Sequence, residues 1–270
     1  MALAEHLREL RNRLGISLLG LFVGVVVAFV LWEPIYAFLS QPYCGTKQGQ
    51  DNCDLFAFGI FDQFLVRLKV SFIAGTVLTA PLWLYQLGAF ITPALHRREK
   101  KYAAAFLAVS LLLFSVGCVF AYLTVSRGLD FLLSIGGGDV LTLLSIQSYL
   151  SFVTLMLLAF GIAFLFPVVI TFLNLTGILS TDRMRSSRRG MIFGIWATSA
   201  LITPSQDPFT FMAMAVPLCV LYEGCILIGR VRDRTRRRSL AADPIAQLDD
   251  DATSVLDATP SYVDPRPSSL

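Results

Sequence analysis

Gly15-Ile-Ser-Leu-Leu-Gly-Leu-Phe-Val-Gly-Val-Val-Val-Ala-Phe-Val-Leu-Trp-Glu-Pro-Ile-Tyr-Ala-Phe-Leu39 decides the fold. No charge interrupts it before Glu33, and one helix needs about 20 such residues to cross a bilayer core. Working outward, five further apolar stretches follow at 70–91, 103–125, 149–175, 190–203 and 209–229. Six spans predict an all-α polytopic membrane protein. The stretch 190–203 rises only about 21 Å, short of a ~30 Å core. Either the bilayer thins there or that helix lines a wet cavity. Pro81, Pro167 and Pro217 interrupt spans two, four and six, which predicts kinked helices and a cupped, concave wall.

Composition agrees. Of 270 residues, 55% are hydrophobic and 15% charged, with a mean hydropathy of +0.67. Soluble domains carry about 25% charged residues, so a soluble globule, a nucleic-acid binder and a disulfide-dense secreted scaffold are excluded. The 22 Lys and Arg are strongly polarised. All but Lys47, Arg67, Lys69 and Arg127 fall before the first span, in the second and fourth loops, or after the last span. The positive-inside rule then places both termini in the cytoplasm, as an even number of spans requires. Glu5 and Glu9 interrupt the N-terminal basic region, and the apolar run is too long for a signal-peptide core, so the first span is expected to be retained. Three segments result: a cytoplasmic amphipathic segment at 1–14, a membrane domain at 15–229, and a basic juxtamembrane segment with a disordered tail at 230–270.

Cys44 and Cys53 share the first external loop, where a disulfide can persist, with two free thiols as the alternative. Cys118, Cys219 and Cys225 lie within spans and read as small packed apolar groups. No metal or cofactor site is expected. Neither HExxH, GxSxG nor a Walker A loop occurs, which argues against an enzyme.

Polar residues stand out at two depths. At the cytoplasmic interface, Glu9 sits on a short helical stretch away from the face of Leu7, Leu10 and Leu14, and Glu99 is the one acid in a basic loop. Each either offsets neighbouring arginines or joins a carboxylate pair for a cationic ligand, with guanidinium as the natural match. Deeper, Glu223 lies in the sixth span, where a carboxylate must face protein or water or snorkel towards the nearby end. Asp207 sits beside the hinge Thr203-Pro-Ser-Gln-Asp-Pro208.

His6-Leu-Arg-Glu-Leu-Arg-Asn-Arg-Leu14 resembles the HLxELRxRL signature of TatC, the signal-peptide receptor of the twin-arginine protein translocase. Further matching segments follow in order. They are Pro42, Lys69-Val-Ser71, Ala80-Pro-Leu-Trp-Leu-Tyr-Gln86, Phe90-Ile-Thr-Pro-Ala-Leu95 with Glu99, Tyr149-Leu-Ser-Phe152, Phe160-Gly161 with Phe164 and Pro167, and Thr203-Pro204 with Asp207. The likeness runs from about residue 4 to 232. It implies a non-enzymatic core receptor that binds the paired arginines of a folded cargo's signal peptide and exports it with the proton-motive force. Glu9 and Glu99 match the family's signal-binding carboxylates, and Arg11, Phe90, Pro93 and Leu95 fall in the motifs around them. TatA- and TatB-type single-span subunits, further copies of the chain and membrane lipid are the implied partners, and a bacterial plasma membrane the implied location. Pro42, Thr203, Pro204, Asp207 and Glu223 are assigned to partner contact or structure. Leu165 stands where many members carry Glu or Gln, and Phe211 where some carry Gln, which bears on partner docking. The alternative from the residues alone is a secondary transporter of a small solute with its site near Glu223.

Overall fold

The computed structural model describes residues 3–45, 55–91, 100–135, 145–175, 179–203 and 207–241, and these are almost wholly helical. In chain order they form α1 (Leu3–Val30), α2 (Trp32–Cys44), α3 (Asp62–Leu78), α4 (Ala80–Ile91) and α5 (Lys100–Ile135). Then come α6 (Ile146–Ala163), α7 (Phe166–Leu175), α8 (Thr181–Ser186), α9 (Arg188–Ile202) and α10 (Pro208–Ala241). The chain divides into two units, Met1–Gly229 and Arg230–Leu270.

Four segments are long and apolar enough to cross a membrane: Arg8–Val30, Ala105–Leu129, Ile146–Leu175 and Pro208–Thr235. Asp62–Leu78 with Ala80–Ala89 makes a fifth if this pair, bent by 54°, counts as one span. The stretch expected as a short span is α9, whose 15 residues rise only about 22 Å.

The first apolar run departs from its expected 15–39 extent. It breaks at Leu31, between α1 and α2. Pro34 has no N–H to donate to the Val30 carbonyl, so one helical bond is lost across this break. The proline occupies the first turn of α2, where a missing donor costs nothing.

The three interrupting prolines have different outcomes. Pro81 stands in the first turn of α4, directly after the 54° bend at Thr79. At the bend the Thr79 N–H still donates to Gly75 O at 3.0 Å, and side chains add further bonds to the nearby carbonyls. The Trp83 indole donates to Thr76 O at 3.0 Å, and the Thr79 hydroxyl donates to Gly75 O at 2.7 Å. Such side-chain bonding is what permits a broken helix at membrane depth. Pro167 opens α7 after a two-residue turn at Phe164 and Leu165, yet Ile146–Leu175 still qualifies as a single span. Pro217 leaves α10 continuous.

Packing centres on α6. Half of its span with α7 is buried, against 11% of the α1 span. Leu150, Val153, Met156 and Phe160 are fully enclosed, with Tyr222 and Met214 of α10 in the same core. Leu18, Leu19, Phe22 and Val23 of α1 are exposed, as expected of a helix that borders lipid. Two glycine crossings set the closest approaches. A Cβ on Gly75 would lie 2.7 Å from Val25 N and 2.8 Å from the Gly24 carbonyl carbon, so α1 and α3 cross backbone to backbone. A Cβ on Gly117 would lie 2.8 Å from Phe160 O, which repeats the device between α5 and α6. Small residues at helix crossings are the usual way to gain packing where no hydrophobic effect drives helices together.

Candidate functional site

Glu9 lies one and a half turns into α1, and its side chain is 31% exposed. Arg13, one turn on, donates from Nη2 at 2.6 Å and from Nε at 3.0 Å to the same oxygen, Oε1. The i,i+4 spacing with the acid first is the favourable orientation for such a pair. Oε2 makes no hydrogen bond or ion pair among the described residues, so one oxygen is left without a polar partner beside a bound guanidinium. Arg8 and Arg11 flank it and are exposed.

Helix packing sets where α4 ends relative to Glu9. A Cβ on Gly24 would meet Thr79, and one on Gly20 would meet Leu82 at 2.8 Å, so contacts descend α1 as they ascend α3 and α4. The helices are therefore antiparallel. Glu9 lies about 16 Å along α1 from Gly20, and Phe90 about 12 Å along α4 from Leu82, towards the same end. Phe90 is placed on α4 as backbone. Pro93, Leu95 and Glu99 lie outside the described residues, as do Pro204 and Cys53.

The remaining candidates are held by internal contacts. Asp207 is buried and caps α10: its carboxylate accepts the Thr210 N–H at 2.8 Å and the Thr210 hydroxyl. Thr203 closes α9, its buried hydroxyl donating to Ser199 O at 2.8 Å. Across this hinge Trp196 and Phe211 meet edge to face at 5.1 Å. Glu223 forms an ion pair with Arg188, so a carboxylate of α10 meets a cation at the start of α9. Pro42 is buried inside α2. Leu165, in the turn between α6 and α7, packs against the cluster of Ala80, Leu84 and Phe114. Cys44 is disulfide-bonded, whereas Cys118, Cys219 and Cys225 are free. Among the described residues no group of His, Cys, Asp and Glu could hold a metal.

Two of these relationships escaped the sequence reading. The Glu9–Arg13 pair has a signal in its spacing, four residues on a helix. The Arg188–Glu223 pair, 35 residues apart, has none.

Residues 5–217 match the family described as Sec-independent protein translocase protein (TatC). The chain belongs to the TatC family. It is 47% identical over 266 residues to the TatC protein of Frankia casuarinae, covering 95% of this chain and 73% of that one. It is 35% identical over 240 residues to TatC of Aquifex aeolicus, covering 88% and 98% respectively. A crystal structure of the twin arginine translocase receptor TatC in DDM superposes with a TM-score of 0.74 at 34% identity, over 83% of this chain and 99% of that one. The chain is thus a multi-pass membrane protein and a TatC-type component of the twin-arginine protein translocase, not an enzyme.

Proposed function

We propose that this TatC-family chain is the receptor subunit of the translocase, and that Glu9 and Glu99 receive the two arginines of a twin-arginine signal peptide. Arg11, Phe90, Pro93 and Leu95 shape the surface around them. The observation that carries this reading is the Oε2 of Glu9, without a polar partner among the described residues, at the end of α1 towards which α4 runs. A guanidinium meets a carboxylate through two planar N–H donors, a fork that lysine lacks. Each charge-assisted bond contributes roughly 1.5–3 kcal/mol, enough to distinguish the pair from lysines. The structure of a relative described as a twin arginine translocase receptor supports the assignment.

The same proposal gives the chain six spans, with α9 crossing a thinned bilayer, and both termini in the cytoplasm of a bacterial cell. The basic clusters that crowd one side of the sequence support this orientation. TatA- and TatB-type single-span proteins, and further copies of the chain, complete the exporter, which draws on the proton-motive force. The hinge from Thr203 through Pro204 to Asp207, with Leu165 and Glu223, belongs to partner docking or to the support beneath it. Cys53 is the remaining cysteine and the proposed partner of Cys44.

The transporter alternative needs an unsatisfied carboxylate near the bilayer centre. Glu223 instead has Arg188 as its counter-ion and is 38% exposed, which removes that anchor. The test is export. Glu9→Ala and Glu99→Ala should each abolish export of twin-arginine cargo in cells while the variant remains at wild-type level in the membrane. Undiminished export in both would overturn the receptor reading.

A further inference from the structure

Arg67, on α3, sits where the apolar span of α1 runs out. Its Nη2 donates at 2.9 Å to the Phe29 carbonyl in the last turn of α1. Its guanidinium carbon lies 4.3 Å from the Phe29 ring centre and 6.0 Å from that of Trp32. Nε is fully buried and has no hydrogen-bond partner. Among the described residues no carboxylate pairs with Arg67, and a carbonyl and aromatic faces surround its charge there.

This guanidinium lines a cavity of about 580 Å³ between the end of α1, α2 and the start of α3. Phe29, Trp32, Tyr36 and Phe64 line it together with the aliphatic Leu55, Ile60 and Ile146, and Gln63 is the other polar residue of the lining besides Arg67. The volume is that of a small-molecule site. Trp and Tyr are the residues that gather at the headgroup level of a membrane. Arg67 lies about 7.5 Å along α3 from its first residue, Asp62, within snorkelling reach of that level.

We infer that this cavity binds an anionic phospholipid, with Arg67 and Gln63 holding its phosphate and the aromatic wall taking the upper acyl segment. One cation combined with an apolar, aromatic enclosure matches an amphiphile bearing negative charge. Inorganic phosphate would gain nothing from that wall. In the proposed orientation the site faces the external leaflet, remote from Glu9, so a lipid there would brace the junction of α1, α2 and α3 without touching signal recognition.

The test titrates delipidated, detergent-solubilised full-length protein with phosphatidylglycerol, phosphatidylcholine and inorganic phosphate, read by native mass spectrometry. One phosphatidylglycerol should bind at least five-fold more tightly than phosphatidylcholine, and inorganic phosphate should not displace it. Arg67→Gln should weaken phosphatidylglycerol about ten-fold, with Arg67→Lys intermediate. A second measurement keeps Arg67 intact. In a Trp83→Phe, Trp196→Phe variant, phosphatidylglycerol with brominated chains should quench Trp32 fluorescence saturably, and brominated phosphatidylcholine should not. Equal affinity for the two lipids, displacement by inorganic phosphate, or quenching without headgroup preference would overturn the inference. Because Glu9 is not involved, none of these results bears on the receptor assignment.

Discussion

Glu9 and Arg13 are joined on one face of α1 through a single carboxylate oxygen, Oε1, which leaves Oε2 without a polar partner among the described residues. The proposed signal-binding acid is thus held in place before any ligand arrives, by a bond that is easily displaced. Exposed i,i+4 pairs contribute about 0.3–0.5 kcal/mol, far less than two charge-assisted bonds to an incoming arginine. Arg13→Gln should therefore leave signal-peptide affinity within about two-fold of wild type, tending tighter. Glu9→Gln should weaken it roughly ten-fold or more. A titration of a fluorescent signal peptide checks both, and an Arg13→Gln loss as large as that of Glu9→Gln would show that Arg13 itself contacts the ligand.

The crossing of α1 and α3 predicts a sharp contrast between glycines. Gly75→Ala would drive a Cβ into the α1 backbone, which cannot retreat as a flexible side chain could. Overpacking of this kind costs about 1–3 kcal/mol, so the detergent-solubilised variant should melt earlier. Gly194 has open space where its Cβ would be, so Gly194→Ala should be neutral or gain up to ~1 kcal/mol of helix propensity. Equal melting of the two variants would contradict the described crossing.

Asp207 has a structural role that its motif membership conceals. As the cap of α10, Asp207→Ala should cost about 1 kcal/mol, whereas Asp207→Asn should retain the stability. Thermal melting of the two variants separates capping from charge. If Asn is as damaging as Ala, the carboxylate's charge is what matters and a partner cation must be sought.

Arg188 and Glu223 couple α9 to α10. Both are partly exposed, so each single Gln variant should cost no more than about 1 kcal/mol. The double variant should be no worse than either single. Additive losses in a double-mutant cycle would show that the two side chains act separately.

Four of the six expected spans, and a fifth if the bent pair counts as one, were legible because long apolar runs report membrane burial directly, whereas prolines mark a break at Thr79 but not within α10. Pro34 and Pro81 follow the breaks at Leu31 and Thr79, although only the structure shows the Trp83 indole bonded to Thr76 O at the second. Glu9 stands out in the sequence only through its motif, since one acid among arginines carries no meaning by itself. Its Arg13 partner follows from spacing. Glu223 was ambiguous because its counter-ion comes from a helix 35 residues earlier, and no local pattern encodes that meeting. Arg67 read as one of few cations on the external side, and its burial against Phe29 depends on α1 and α3 crossing at Gly24 and Gly75.

The central claim is that Glu9 and Glu99 together select paired arginines. The most direct measurement is the affinity of the detergent-solubilised protein for a signal peptide carrying Arg-Arg against its Lys-Lys counterpart, repeated with Glu9→Ala and Glu99→Ala. The account predicts selective binding of Arg-Arg, lost in either variant. Equal binding of the two peptides by folded protein, or selectivity that survives both substitutions, would contradict it.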